Sequence, residues 1–408
     1  MPRQDEKKEL KVIFIVTSFP RSKGEVLNPW IIKLIEVLNE RKVRVDILTS
    51  TYKGRKSEYY EGIRVERFRY LFASLEKLSH DMSIPERLKS NRAYYLLLPF
   101  FLLGGAIFSF IYGLKHDYDI IHVHFPFPLA LFGLAMKSVR KRSMIYSCHG
   151  SDVNLARTNN FYRFIFKKLL APADGVIVNS SFLGGRVMEI ARGAHVTIIP
   201  MGGSTHVTRD PEKARQAKDT VGILFVGRLI EWKGIPYLLE GMKMLVEKRG
   251  PRFSLHIVGD GPERGKYEKS AEKLGIKPVV QFKGYLKGQE LEKEYESADI
   301  FVLPSIVDSR GFTEGLGTVL LEAIESGLVV IGSRVGGIPD IVKHRETGLL
   351  VEPKDSEGLA EAILMLADDE GLRERLAKNA KNYIERDFSW EEIGNKYERI
   401  YRDLVGGS

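Results

Sequence analysis

LPSIVDSRGFTEGLGTVLLEAIESGLVVIGSRVGGIPD, residues 303–340, decides the reading of this chain. It opens on FVLPS (301–305), apolar and β-branched, the composition of a buried strand that stops at a proline. A glycine-rich loop follows over 311–317. Residues 318–326 then place Val319, Leu320 and Ala323 on one helical face. Gly327 ends that helix, VVIGS starts another strand, and Gly336-Gly337 makes a second turn. A strand, a glycine loop and a helix start make a place for an anion, because free backbone N–H groups and the helix dipole point there. Glu314 lies in the loop and Glu322 eight positions later, about one turn into the helix. A carboxylate beside an anion site repels the anion, so its task there is to accept hydrogen bonds from sugar hydroxyls.

Working outward, the second half repeats a strand–turn–helix pattern. VGILFVGRL (221–229) is a strand, IEWKGIPYLLEGMKML carries it into a helix, and RFSLHIVGDGPER and VVQFKGY are further strands with turns. GRLIEWKG supplies two cations, Arg228 and Lys233, at a strand end and the following helix start. The first half has the same organisation. KVIFIVTSFP (11–20), a helix over 29–40, and VRVDILTS begin a doubly wound sheet. DIIHVHF, MIYSCHGSDV, DGVIVNSS and HVTIIPMG read as later strands. His149 and Asp152 lie in the loop after one of them, at the strand end where such sheets carry their sites. STHVTRDPEKARQAKDT is polar and aperiodic and predicts the linker between halves.

The stretch PS…TEGLGTVLLEAIESGLVVIGSRVGGIPD resembles the E-x7-E signature of retaining glycosyltransferase family 4, which has the GT-B fold. The resemblance covers most of the chain, specifically over 222–350 and loosely over 1–200. It implies an α/β chain of two Rossmann-like doubly wound parallel-sheet domains facing a cleft. The expected domains are 1–203 on the acceptor side, 204–385 for the nucleotide-sugar donor, and a helix over 386–408 crossing back to the first. It implies that Glu314 holds the donor hexose and Glu322 the nucleotide ribose. Backbone groups of Gly315, Leu316, Gly317, Thr318 and Val319 would hold sugar and pyrophosphate. Arg228 and Lys233 would meet the pyrophosphate, and Lys283, Gly284, Tyr285 and Leu286 would read the base. His149 would approach the hexose. Family members place two glycines in the first turn near the donor phosphates, where this chain has only Gly24. It also has Pro200-Met201-Gly202-Gly203-Ser204 where the family commonly has P-N-G-V-D. The implied activity is transfer of a hexose from a UDP- or GDP-sugar to an acceptor glycan or lipid-linked sugar. Alternatives are an epimerase- or synthase-type enzyme of the same fold, or a sugar-nucleotide-binding protein without catalysis.

Composition bounds these readings. The chain has 408 residues and one cysteine, Cys148, so it holds no internal disulfide, which fits a reducing cytoplasm. Its charged opening residues predict no secretory leader. Residues 1–202 hold 31 Lys+Arg against 18 Asp+Glu, a net +13, while residues 203–408 sum to −4. A basic half calls for an anionic neighbour. Zinc-finger spacing, RNP-type aromatics and a basic tail are absent from the sequence, which argues against nucleic acid. DYD (117–119) matches the short D-x-D pattern of metal-dependent glycosyltransferases but sits at a strand entry, and is read as scaffold, with no metal and no cofactor beyond the co-substrate. Residues 94–113 are uncharged over twenty positions, the length of a membrane span. The strand that follows at once belongs with the first strands, so the segment is read as one or two helices covering the sheet, broken at Pro99 and Gly104-Gly105. Together with the +13 charge it predicts a peripheral enzyme at the inner, anionic face of the membrane.

Overall fold

Parallel strands covered on both faces read as near-continuous apolar runs, and such runs form two sheets here. A computed structural model describes residues 8–22, 25, 27–82, 84–203 and 220–406. Gly24 and nearly all of the linker stretch, 204–219, lie outside the described residues. The chain divides into two compact units. One comprises Met1–Asn179, Leu183–Ile199 and Trp390–Ser408, and the other Ser180–Phe182 and Pro200–Ser389.

The N-terminal unit is built on eight strands: β1 (Leu10–Ile15), β2 (Val43–Ser50), β3 (Glu58–Tyr60), β4 (Ile63–Phe68), β5 (Ile120–His124), β6 (Ser143–Cys148), β7 (Gly175–Val178) and β8 (Val196–Ile198). Their order is β3-β4-β2-β1-β5-β6-β7-β8, parallel except for the β3–β4 hairpin. The chain winds outward from β1, then returns to its other side at β5. The sequence puts the first strand as far as Pro20, but pairing with β2 ends at Ile15. Its helices are α1 (Pro29–Asn39), α2 (Ile84–Ser90), α3 (Leu98–Lys115), α4 (Pro126–Lys137), α5 (Ser151–Thr158), α6 (Asn160–Leu170) and α7 (Ser181–Ile190).

A 3-10 helix over Arg92–Leu97 gives way to α3 at Leu98, so the change expected at Pro99 is present, while α3 runs unbroken through Gly104-Gly105. Pro99 sits in the first turn, where its missing N–H has no intrahelical partner to lose. Gly104 and Gly105 face neighbours at close range. A Cβ on Gly105 would lie 2.3 Å from the Phe132 ring of α4, so the glycine is there for packing. The segment Arg92–Lys115 is long and apolar enough to span a bilayer by length and composition. Yet β4 before it and β5 after it share one sheet, through β2 and β1.

The C-terminal unit carries β9 (Val221–Val226), β10 (Phe253–Val258), β11 (Val280–Gly284), β12 (Ile300–Leu303), β13 (Val329–Ser333) and β14 (Leu349–Val351). All are parallel, in the order β11-β10-β9-β12-β13-β14. Its helices are α8 (Ile235–Arg249), α9 (Arg264–Lys273), α10 (Gln289–Ser297), α11 (Val319–Glu325), α12 (Ile338–Ile341), α13 (Ser356–Asp368) and α14 (Glu370–Asp387). The winding reverses between β9 and β12. In open α/β sheets the strand ends beside such a reversal diverge and leave a crevice for a ligand. The last helix, α15 (Trp390–Gly406), buries Ile393, Tyr397 and Tyr401 in the core of the N-terminal unit, with Ile31, Leu34 and Leu38 of α1.

Candidate functional site

At the reversal in the C-terminal unit, the structure brings together Lys233 and Glu314, two of the charged residues that the sequence singled out there. β9 ends at Val226, and Gly227 and Arg228 follow, Arg228 exposed. A single tight turn, Glu231–Lys233, then brings the chain back. Gly234 closes it at φ +68°, where a Cβ would lie 1.8 Å from the Pro304 carbonyl oxygen just after β12. Only glycine permits that approach. The Ile306 amide donates to the Trp232 carbonyl at 2.8 Å, so the loops after β9 and β12 are tied together.

This junction buries Lys233 to 8% exposure. A lysine so buried needs a partner, and Lys233 Nζ lies 2.6 Å from Glu314 Oε2. Ser305 Oγ donates to the same oxygen at 3.2 Å. The loop bearing Glu314 is held by local bonds. The Asp308 carboxylate accepts from the amides of Arg310 and Phe312, and the Phe312 ring stacks on Trp232 at 5.8 Å. Behind it, Gly336 has φ +60°, and a Cβ there would fall 2.1 Å from the Glu314 carbonyl oxygen. The Gly337 amide donates to that oxygen at 3.2 Å.

After Glu314 the chain enters α11 through Gly315, buried Leu316, Gly317 at φ +89°, and Thr318. Among the described residues, the amides of these four donate to no carbonyl or side chain. Val319 opens the helix. Glu322, in its first turn, accepts at Oε2 from the Tyr295 hydroxyl at 3.0 Å. Burial and this carboxylate hold the Tyr295 phenol well above its ordinary range, so it is a fixed donor. The two glutamates are thus held by different donors, Lys233 and Ser305 against Tyr295. Farther along the sheet, at the end of β11, Lys283 pairs with Glu294 at 3.2 Å and the Gly284 carbonyl accepts from the Gly259 amide. Tyr285 is 75% exposed and Leu286 half-buried.

In the N-terminal unit, His149 follows β6. Its Nε2 lies 3.2 Å from His124 Nδ1, and its ring packs on Trp30 and Phe125. His122 and His124, two apart on β5, share a face and stack at 4.2 Å. His122 bonds Ser147 Oγ at 2.8 Å and the Tyr401 hydroxyl of α15 at 2.7 Å. Burial lowers His122 and His149 to about 3 and His124 well below its ordinary value, so all three rings are neutral at pH 7. Asp152 accepts at Oδ1 from the Gly150 and Val153 amides, bracing the loop, and burial raises it to about 6. The sequence places HVH only within a strand; its period of two, one strand before the HG step, was the available signal for its role. Asp117 is paired with Arg140 and Arg142, and Asp119 accepts from the Lys11 amide, so the D-x-D carboxylates brace separate parts of the unit.

Comparison with known proteins follows the same division. Residues 30–206 match the family described as Glycosyltransferase Family 4, and residues 207–383 match Glycosyl transferases group 1. An uncharacterized glycosyltransferase of Methanocaldococcus jannaschii is 37% identical over 180 residues, 44% of either chain. The D-inositol 3-phosphate glycosyltransferase of Corynebacterium glutamicum is 26% identical over 93% of this chain and 92% of its own. Among solved structures, sucrose-phosphate synthase from Thermosynechococcus elongatus superposes with a TM-score of 0.77 at 24% identity, covering 98% of this chain and 100% of that one. Anabaena HepE in complex with UDP and glucose gives 0.70 at 18% identity, over 97% and 100%.

Proposed function

Since this chain belongs to the group 1 and family 4 glycosyltransferases of GT-B fold, enzymes that move a glycosyl group from a nucleotide sugar, we propose that it is a retaining hexosyltransferase. Its donor is a UDP- or GDP-sugar and its acceptor a hydroxyl of a lipid-linked or cell-surface glycan precursor. The observation that carries the donor half is the Lys233–Glu314 pair at the β9/β12 reversal, followed by free loop amides and a separately held Glu322. HepE, solved with UDP and glucose, supports testing UDP-sugars first.

In this reading Glu314 accepts hydrogen bonds from the hexose and Glu322 from the ribose. Lys233, Arg228 and the amides of Gly315, Leu316, Gly317, Thr318 and Val319 face the pyrophosphate, and Lys283 through Leu286 the base. His149, neutral at pH 7, offers one nitrogen to the hexose. Gly24 is proposed near the donor phosphates on the resemblance alone. The bond between the anomeric carbon and the β-phosphate oxygen breaks, and the acceptor oxygen bonds the same face of that carbon. The acceptor proton passes to the departing phosphate. Negative charge collects on the β-phosphate, where preorganised cations and amides stabilise the transition state most. That supply of charge makes the reaction metal-independent. The enzyme works in the cytoplasm, peripherally at the inner membrane face.

The test is a thermal-shift screen of the purified full chain against UDP-glucose, UDP-galactose, UDP-N-acetylglucosamine and GDP-mannose, followed by donor turnover. A ligand at 100 times its Kd stabilises by roughly 2.7 kcal/mol, an easily resolved shift. One sugar should shift the transition and release nucleoside diphosphate, and NMR should find the donor's anomeric configuration in the product. An inverted product would sink the retaining assignment. A shift without turnover would favour the binding-protein alternative.

A further inference from the structure

We propose that the outer face of the α3–α4–α6 layer in the N-terminal unit is a docking surface for an anionic lipid bilayer. This deepens the peripheral-membrane part of the proposed function and does not depend on the donor assignment.

α3 has two unlike faces. Phe101, Gly105, Ser109, Tyr112 and Gly113 are buried. On the other side Phe100, Leu103, Ile107, Phe110, Ile111 and Leu114 are 44–62% exposed. At 100° per residue these six fall in one stripe about 100° wide and about 21 Å long. Scattered exposed apolar residues are ordinary, but a continuous stripe of this size marks an interaction surface. α4 packs against α3 on one side and α6 on the other, and presents Leu131, 40% exposed. On α6, Phe166 and Leu170 are buried while Phe161 and Phe164 are 66% and 61% exposed. Lys168 lies over the Phe164 ring at 5.8 Å. Beside Phe164 an open pocket is lined by Asn160, Arg163, Lys167 and Arg192, with Glu189 its one carboxylate.

The charge selects the occupant. Residues 115–192 carry 11 Lys+Arg against 5 Asp+Glu. Of the acids, Asp117 pairs with Arg140 and Arg142, Asp174 with Lys137, and Asp152 is buried in the first turn of α5. A second copy docking by a two-fold axis would set this basic face against itself. Anionic headgroups match it, with the aromatic and aliphatic side chains entering the acyl boundary and the long basic chains reaching the phosphates. The pocket would hold one headgroup phosphate.

The experiment is cosedimentation of the full-length protein with phosphatidylcholine vesicles, with and without phosphatidylglycerol. Binding is expected only with phosphatidylglycerol and weakens as salt is raised. Leu103→Glu/Ile107→Glu, Phe161→Ser/Phe164→Ser and Lys167→Glu/Lys168→Glu should each lower partitioning by roughly tenfold or more, since one basic residue alone contributes about fivefold. Thermal unfolding and vesicle-free donor hydrolysis should stay at wild-type values in all three. The inference is overturned if the protein ignores anionic vesicles at low salt, or if its binding is indifferent to these substitutions. It is also overturned if the protein is a dimer in solution that Leu103→Glu/Ile107→Glu dissociates, which would make a second copy the occupant. Donor hydrolysis is read separately, so docking without hydrolysis would refute the proposed reaction and leave the surface standing.

Discussion

Replacing Lys233 by methionine keeps the stem and removes the ammonium, and with it both the cation proposed to face the leaving group and the closest partner of Glu314. Lys233 and Glu314 side chains are 10% and 14% exposed, and their atoms lie 2.6 Å apart. Without the ammonium, the carboxylate retains the Ser305 hydroxyl at 3.2 Å. Removing one partner of a buried pair costs about 3–5 kcal/mol, and the residual exposure here puts the expected loss near the lower end. Glu314→Gln should cost a similar amount by stranding the lysine. The double variant should regain about 2 kcal/mol over the sum, because neither charge is then left buried alone. Denaturant midpoints with unchanged m-values measure this directly.

Turnover should follow the same logic. One preorganised donor contributes roughly 10²–10³ in kcat, so Lys233→Met should lose that much, and Glu314→Gln, which removes a charged acceptor and strands the lysine, should also fall. If the pair acts as a unit, the double variant loses far less than the product of the two. Single-turnover donor hydrolysis would read the coupling. Losses that multiply, with free energies additive to within about 0.5 kcal/mol, would show that the contact is incidental to catalysis. Full turnover in Lys233→Met would remove the residue from the reaction altogether.

Glu322→Ala should weaken nucleoside diphosphate binding with little change in turnover, and Tyr295→Phe should do so by about fivefold, the worth of one hydrogen bond of about 1 kcal/mol; calorimetry giving an unchanged Kd in Glu322→Ala would withdraw the ribose assignment. Turnover should survive EDTA, and loss of activity restored by Mn²⁺ would contradict charge stabilisation by Arg228 and Lys233. Acid should destabilise the fold through its histidines. The folded pKa values of His122 and His149, about 3, lie below the ordinary 6.5, so the unfolded chain alone takes up protons below that value. Their contribution is complete above pH 6.5 and is lost as pH falls towards 3, by about 2 kcal/mol per ring at pH 5. Urea midpoints flat between pH 7 and 5 would mean that these rings are not held neutral.

The sheets were legible because buried parallel strands announce themselves as apolar runs; β12 is IFVL from end to end, buried throughout. The β3–β4 hairpin was missed. Its strands are short and partly polar, and its turn is Glu61-Gly62, both with positive φ, a two-residue hairpin signal within EYYEGIRVERF. The break expected at Gly104-Gly105 failed because propensity is a weak term. The space a missing Cβ leaves for Phe132 outweighs the roughly 1 kcal/mol that a glycine costs a helix. Glu314 and Lys233 could each be singled out from local sequence. Their contact, across 81 positions, follows from the reversal of winding that makes β9 and β12 neighbours. The His124–His149 bond likewise depends on β5 and β6 being adjacent, which no local pattern states.

On the proposed donor reading, that reversal also bears on the charge asymmetry. Most of the proposed donor residues lie in the half whose net charge is −4, so in that reading the C-terminal unit meets a pyrophosphate without an excess of cations. On the proposed reading it needs two in fixed places and a row of loop amides, and the Glu314 carboxylate holds the Lys233 ammonium at 2.6 Å. The +13 of residues 1–202 is therefore left over as far as this cluster is concerned. Net charge of this size aids solubility, but self-repulsion opposes compaction. Much of it lies around one helical layer whose α3 stripe and α6 phenylalanines are exposed to solvent, a combination costly in water and favourable on an acidic membrane. The proposed membrane docking would give the two anomalies of the N-terminal unit, its charge and its exposed apolar face, one cause.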